Sequence, residues 1–557
     1  MKQVTPGSLL YQVNAPKATT GYKYVHINRN TQKIEESEPF VRSPLTDKDD
    51  NNDNDDATEK KENDKGINEF YGRSWTYRDV KTFDRIDTFP QDYNRISAKQ
   101  LHPANEIPTM HIQAPAADID RLHGYYLQDI DIKANMTYIT SKKVHHFVDT
   151  TFKLGGRSSR YFTKFAYSVK LPKHTNIDNY RKLKLRAMSS DPSYMREKLG
   201  YDMLAAAGRP STRNTYVRLF INDRAVGLFT VAEKYDDNFL RNEFGGGSKS
   251  YKTGILYEGE GATKRRHAAD LSYHGDAASY YEGSAYEIAE KPKVGNNSYD
   301  ALIAFTKFID DQLKLQQNKS VDLNSTVDAW NKQIDVNGFF INMAFDFLVG
   351  NFDDYLQNTN NYFLYLEPRT ERFVYLTWDL DMTFGSGPVK MRKLLQGDYR
   401  KYAGMSKRPL TKATLMTVPY FRQVFESQLR TIVHQLFQPS VVNPIIDSHV
   451  NFIKDDVAWD RSLPRERKGA SFFPFGEHNI DNWFYNNATG ETVSLPMTFS
   501  VINSADYLIR TNADISFQRA IEGPTRHSSL YALKNWFKEK TNKVLPYIDS
   551  PPTSKSK

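Results

Sequence analysis

Apolar residues recur along this chain in two rhythms. Val336, Phe339, Phe340, Met343, Ala344, Phe347 and Leu348 fall at helical spacing, which predicts a helix over 336–349 with a broad buried stripe, ended by Gly350. A second helix start is marked by Asp191, a capping residue, with Pro192 in the first turn. Met195, Leu199, Met203 and Ala206 then share one face, and Gly208 supplies the stop. Short or alternating apolar runs predict strands within 8–42 and over 111–113, 150–154, 165–171, 183–186, 216–221, 227–231, 362–366 and 372–377. The segment Asn222-Asp223-Arg224-Ala225 has the chemistry of a hairpin turn, and so does Pro368-Arg369-Thr370. The first half reads as an antiparallel sheet with one long helix inserted. Beyond residue 385 the pattern is mostly helical, over about 418–437, 441–453 and 529–544, and no internal repeat is present.

This order of elements predicts an α+β fold and a division of the chain. Residues 1–46 read as a partial β module and 67–104 as a connecting segment, with the main domain over 105–550. Residues 47–66 are Asp, Asn, Glu and Lys, with one Ala, one Thr and the closing Gly66. Such a run buries nothing and reads as a flexible acidic linker. It lacks the ordered ligand spacing of a calcium-binding loop.

The totals narrow the chemistry. There are 557 residues and no cysteine, which removes disulfides, thiolate metal sites and a cysteine nucleophile together. The formal net charge is +8, but the basic residues are scattered and no nucleic-acid-binding signature occurs, so nucleic acid is not an expected partner. No apolar run is long enough for a membrane span. Lys2-Gln3-Val4-Thr5-Pro6 lacks the apolar segment of a secretory leader, as expected of a protein that stays inside or of a trimmed or incomplete form. Asn135, Asn296, Asn318, Asn324 and Asn487 open Asn-x-Ser/Thr sequons, which permit secretion without arguing for it. His145 and His146 are adjacent and face apart, which argues against a metal pair. The stretch 279–285, with Tyr280 and Tyr281, reads as an exposed insertion.

One constellation carries chemistry. The predicted helix 336–349 is followed by a polar loop, a hairpin, and then Trp378-Asp379-Leu380-Asp381. Phosphoryl transfer needs a carboxylate to orient or deprotonate the acceptor hydroxyl, and oxygen ligands for a divalent cation on the nucleotide phosphates. Asn358 follows Asp353 at the interval between the Asp and Asn of a kinase catalytic loop. Asp379 stands after the hairpin and before Phe384-Gly385, where a kinase carries its metal-binding Asp, and strand pairing is expected to bring the two acidic points together. On spacing alone, a turn or helix cap remains the competing explanation for these Asp residues. Upstream, Lys164 precedes a strand and Glu197 lies on the Asp191-capped helix, the contexts of a phosphate lysine and its partner glutamate. The run Gly155-Gly156-Arg157-Ser158-Ser159 has backbone N–H groups, and Arg157, to offer phosphates. Serine-hydrolase, Walker, metalloprotease and dinucleotide-binding motifs are missing from the sequence.

These residues resemble a family. Residues 183–186 (LKLR), 191–202 (DPSYMREKLGYD), 218–223 (RLFIND), 227–233 (GLFTVAE), 350–355 (GNFDDY), 361–365 (NYFLY) and 378–385 (WDLDMTFG) are similar to blocks of the spore-coat-protein-H (CotH) proteins. The resemblance runs from about 105 to 545 and is of the fungal style. It implies an atypical two-lobed protein-kinase-like fold, with one lobe at about 105–235 and the other at about 236–550. It also implies ATP- and Mg²⁺- or Mn²⁺-dependent phosphorylation of Ser/Thr in coat or surface proteins. Asp353 is then the catalytic Asp. Asp379 and Asn358, with Asn361 and Asp381, are metal ligands, and Lys164, Arg157, Glu197 and Glu233 belong to the nucleotide site. A secreted or spore-surface location is implied as well, and so is a second function class: an adhesin that binds a host receptor or coat partner without catalysis. Glu258 departs from the pattern, standing where many relatives carry a basic residue. The 259–285 insertion, rich in Arg, His and Tyr, is the expected place for substrate or partner recognition.

Overall fold

The computed structural model describes residues 1–16, 18–44, 67–90, 93–156, 158–261, 268–282, 286–316, 323–471 and 498–549. Arg157 and the acidic segment 47–66 lie outside them, as does much of the sequence between 471 and 498. Two short hairpins open the chain: β1 (Lys2–Gln3) with β2 (Tyr11–Gln12), and β3 (Val25–Ile27) with β4 (Ile34–Ser37). Arg42 ties this module to the connecting segment, since its guanidinium is shared between Glu38 and Glu69.

The next seven strands are β5 (Thr109–Gln113), β6 (Asp131–Ile139), β7 (Val144–Leu154), β8 (Tyr167–Lys170), β9 (Lys182–Arg186), β10 (Asn214–Ile221) and β11 (Arg224–Glu233). They form a closed barrel rather than the expected antiparallel sheet. Closure comes from β5, which pairs antiparallel with β6 and parallel with β10. The hairpin expected at residue 222 is the two-residue connection between β10 and β11, with Ile221 opposite Arg224. Helix α1 (Ala116–Gly124) joins β5 to β6, and α2 (Arg196–Ala206) joins β9 to β10.

α2 begins four residues later than Pro192 suggests, because Tyr194 has a left-handed backbone that breaks the helix there. Asp191 still caps it: its carboxylate accepts from the backbone N–H of Met195 at 3.0 Å and of Arg196 at 2.9 Å. These are orphan donors of a helix start, satisfied from outside the helix.

After α3 (Asp237–Phe244), β12 (Leu256–Gly259) and β13 (Tyr286–Glu290) enter a second sheet. Helices α4 (Asp300–Leu315), α5 (Leu323–Gln333) and α6 (Val336–Val349) come next. The sheet is completed by the hairpin β14 (Tyr362–Glu367) and β15 (Arg372–Thr377), in the order β13-β12-β14-β15. Phe363, Tyr365, Val374 and Leu376 face the barrel core, whereas Tyr362, Leu364, Phe373 and Tyr375 face the helical core. A hairpin buried on both faces needs apolar residues at every position, which is why both strands read as unbroken apolar runs.

The remaining described helices are α7 (Pro419–Ile432), α8 (Pro439–Ser462), α9 (Val501–Arg510), α10 (Phe517–Glu522) and α11 (Leu533–Ile548), besides shorter turns. α8 is stitched to the barrel by buried charge. Asp456 accepts from Arg218 at 2.7 Å and from Arg73 at 3.0 Å. From the connecting segment, Trp75 packs against Phe452 of α8 and Tyr93 is hydrogen-bonded to Asp335 at the start of α6. No helix among the described residues is long and apolar enough to cross a membrane.

In the described part of 279–285, Ser279, Tyr280 and Glu282 are exposed as expected, and Tyr281 alone is not. Tyr281 is fully buried, with Ala269 and Leu271, and its hydroxyl meets that of Thr306 at 2.9 Å. Three large or apolar side chains so close in sequence gain more in the helical core than in water.

Candidate functional site

The site forms where two loops run side by side between the barrel and the helical core. Helix α6 ends at Gly350, whose left-handed backbone turns the chain; a Cβ there would meet Trp536 at 2.5 Å. The polar loop 351–361 comes after it, and β14–β15 returns the chain to Asp379. Trp378 N–H donates to Asn361 O at 3.0 Å, Phe352 N–H to Met382 O at 3.4 Å, and Phe384 N–H to Val349 O at 2.6 Å. The hairpin therefore lays the two acidic loops against each other, as its strand pairing predicts. Asn361 and Asp379, at the hairpin's two ends, both adopt left-handed backbone, a conformation that Asn and Asp tolerate better than most residues.

Asp353 is the hub of the first loop. Its carboxylate accepts from the side-chain amides of Asn358 at 2.6 Å, Asn360 at 3.0 Å and Asn361 at 2.9 Å. Burial raises its pKa to about 6, and these amide donors oppose the rise. Asp353 is thus oriented, and is a base above roughly that pH. Asn360 is a site residue that spacing alone does not mark, although its place in the run Asn358-Thr359-Asn360-Asn361 is a visible signal. Behind the loop, Asp354 O accepts from the N–H groups of Asn358 and Asn360, and Arg408 donates to Leu356 O and Gln357 O, both at 2.9 Å.

Asp379 is held from the barrel side. Arg186, on β9, donates to both of its carboxylate oxygens. The same guanidinium donates Nε to Glu197 Oε2 at 3.0 Å and lies 3.8 Å from Asp381. Burial works to raise the pKa of Asp379, but Arg186 and Lys184 outweigh it and hold the carboxyl below its ordinary value. Asp381 is pushed well above its ordinary value, first by burial and then by the charge of Asp379. Lys184 stands over the Trp378 ring, 4.5 Å from its centre, and burial with the neighbouring Arg186 lowers its pKa to about 8. Helix α2 touches this loop directly: Asp379 N–H donates to the Tyr201 hydroxyl at 3.0 Å. A Cβ on Gly200 would come within 2.7 Å of Leu380.

The glutamate expected on the capped helix is therefore at the site, but its cation is Arg186, not Lys164. Lys164 is buried against α8, 2.7 Å from Asp460 and beneath the Phe229 ring. That lysine fills the need of a buried carboxylate for a counter-charge. Glu233 is also elsewhere. It is bonded instead to His102 at 3.0 Å, the Thr212 hydroxyl and Arg213 N–H at 2.7 Å, all outside the Asp353 and Asp379 loops. The signal for Arg186 and Lys184 is present in Lys182-Leu183-Lys184-Leu185-Arg186. Apolar and basic residues alternate there, so one strand face carries three cations.

Among the described residues no three His, Asp or Glu side chains gather as a ready-made metal cluster. The oxygen set is nonetheless suited to a hard divalent cation such as Mg²⁺ or Mn²⁺, with the carboxylates of Asp379 and Asp381 supplemented by the amide oxygens of Asn358 and Asn361. The unfavourable neighbourhood of Asp381 and Asp379 is the kind a cation relieves. On the open side, Gly261 N–H donates to Asn360 Oδ1 at 2.9 Å, so the 259–285 insertion starts beside the loop. Residues 262–267 lie outside the described ones.

Comparison with known proteins gives a consistent family. The family model described as "CotH kinase protein" matches residues 152–472. The chain is 24% identical over 413 residues to the protein named Invasin CotH2 of Rhizopus delemar, covering 73% of this chain and 66% of that one. It is 24% identical over 426 residues to spore coat protein homolog 1 of the same organism, 75% of this chain and 65% of that one. It is 23% identical over 313 residues to the inner spore coat protein H of Bacillus subtilis, 56% of this chain and 79% of that one. The chain thus spans slightly less than two thirds of the length of these fungal relatives.

Proposed function

Since the chain belongs to the CotH family, we propose that it is an atypical, metal-dependent protein kinase. In this reading the barrel and the helical part are the two lobes of a kinase-like fold, and the enzyme transfers the γ-phosphoryl group of ATP to Ser or Thr of spore-coat or cell-surface proteins. The observation that carries it is the side-by-side pair of loops: Asp353 ringed by Asn358, Asn360 and Asn361, and Asp379 linked through Arg186 to Glu197.

The chain's residues then have these roles. Asp353 accepts the hydroxyl proton of the acceptor as its oxygen bonds to the γ-phosphorus and the bond to the bridging oxygen breaks, releasing ADP. Asn358 and Asp379, with Asn361 and Asp381, would hold Mg²⁺ or Mn²⁺, which when bound neutralises phosphate charge. Lys184 and Arg186 face the phosphates, and Glu197 keeps Arg186 in place. Asp353 takes a proton most effectively once it is ionised, so transfer rises through about pH 6 in the absence of other titrations.

The test is a thermal-shift titration of wild type and Asp379→Ala with ATP and Mn²⁺. A ligand that binds only the folded state raises apparent stability with the logarithm of its concentration. The reading expects a metal-dependent shift in the wild type and its loss in Asp379→Ala. Equal shifts in both proteins, or none in either, would refute it.

A second reading is favoured by the names of relatives. Proteins called invasins are similar to this chain, so it is also a candidate adhesin at the spore or cell surface, with a host receptor or coat protein as partner. Partner binding that survives Asp353→Asn, in a wild type that binds no nucleotide, favours this reading over the first.

A further inference from the structure

Arg186 occupies Asp379 in the way a metal would. A guanidinium fork takes one lone pair from each carboxylate oxygen, and a hard cation draws on those same oxygens. Arg186 is bonded to Asp379 and Glu197 and lies 3.8 Å from Asp381, with Lys184 beside it on the same strand face. The carboxylate best suited to receive a divalent cation thus already has a partner. A divalent cation on Asp379 would repel the guanidinium on the same carboxylate and weaken its hold. Arg186 has a second anchor, because its Nε stays on Glu197.

Resting on the phosphoryl-transfer reading above, we propose that Arg186 is an exchangeable counter-cation. It holds Asp379 while the site is empty of ligand. On loading, Asp379 passes to the divalent cation, and Arg186, still tethered to Glu197, turns to the polyphosphate. A cation arriving alone displaces Arg186 with no new anion to receive it, and a polyphosphate arriving alone must draw Arg186 from a bidentate partner. Each ligand provides what the other's entry takes away. Metal and nucleotide therefore bind cooperatively, and Arg186 is the positioning residue that couples them.

The experiment measures free Mn²⁺ by its electron paramagnetic resonance signal, titrating the full chain with and without a non-hydrolysable ATP analogue, and reads protein uptake against the analogue alone, which chelates Mn²⁺ itself. The wild type is expected to bind Mn²⁺ weakly alone and about tenfold or more tightly with the analogue, within the usual range of coupling between two sites. Arg186→Gln should bind Mn²⁺ alone about tenfold more tightly than the wild type and gain little from the analogue. Arg186→Lys keeps the charge without the fork and should fall between them, which reads the effect even if Arg186→Gln folds poorly. Analogue-enhanced Mn²⁺ binding that neither variant alters would overturn the exchange while leaving the kinase reading intact. A wild type that takes up no Mn²⁺ with or without the analogue would overturn both.

Discussion

Replacing Lys164 separates a structural lysine from a phosphate ligand. Its ammonium is almost wholly buried, 2.7 Å from Asp460, bonded to Leu228 O and 4.2 Å from the centre of the Phe229 ring. Lys164→Ala deletes the cation and leaves Asp460 buried. Breaking a buried pair from one side costs about 3–5 kcal/mol. Asp460 retains Arg465 at 3.1 Å, the Tyr194 hydroxyl at 2.7 Å and Leu228 N–H at 2.9 Å, so the lower end, about 3 kcal/mol, is expected. The pair ties the barrel to the helical part, a body of roughly 400 residues, and an unfolding entropy of about 2.1 cal/mol/K per residue makes the loss about 3–4 °C. The assay is thermal unfolding with and without ATP and Mn²⁺. Tm should fall by that amount in the unliganded variant, while the further shift on adding nucleotide matches that of the wild type. An unchanged Tm together with a lost nucleotide shift would refute the reasoning and return Lys164 to the phosphates.

Two other substitutions probe the frame. Gly200→Ala places a methyl group 2.7 Å from Leu380, between Asp379 and Asp381, so it should cost about 1–3 kcal/mol and weaken Mn²⁺-dependent nucleotide binding; a variant like wild type in both would show that α2 does not position the loop. His449 is buried beside Tyr216 with neither ring nitrogen partnered among the described residues, and burial lowers its pKa from 6.5 to about 3. The unfolded chain therefore protonates first, so stability is intact above about 6.5 and falls as pH drops towards 3. By pH 5 this amounts to about 2 kcal/mol. His449→Leu should remove most of that slope in thermal unfolding between pH 7.5 and 5, and an unaltered slope would contradict the assignment.

The range of the forces involved decides how much of the molecule was legible in its sequence. The 336–349 helix and the 372–377 strand were readable to the residue, because each is defined by burial along a single element. The Asp353–Asn358 loop and Asp379 were readable because the hairpin that unites them is local. Barrel closure was not, since the parallel pairing of β5 with β10 joins distant segments and leaves no periodic mark on either. The exchange of Lys164 for Arg186 has the same origin. A lysine beside a strand looks alike whether it faces a cleft or a buried Asp460, and only the packing of α8 on the barrel decides it. The burial of Tyr281 likewise depends on α4, through Thr306.

The central claim is phosphoryl transfer through the Asp353 loop. It is tested most directly by incubating the full chain with Mn²⁺, ATP labelled at the γ-phosphate and a library of Ser/Thr-containing peptides, wild type against Asp353→Asn. The account predicts acid-stable label on Ser or Thr with the wild type, and a loss of at least about a hundredfold in Asp353→Asn, the lower range for removing a general base. Equal labelling by both proteins, or none by a folded wild type that binds ATP and Mn²⁺, would contradict it.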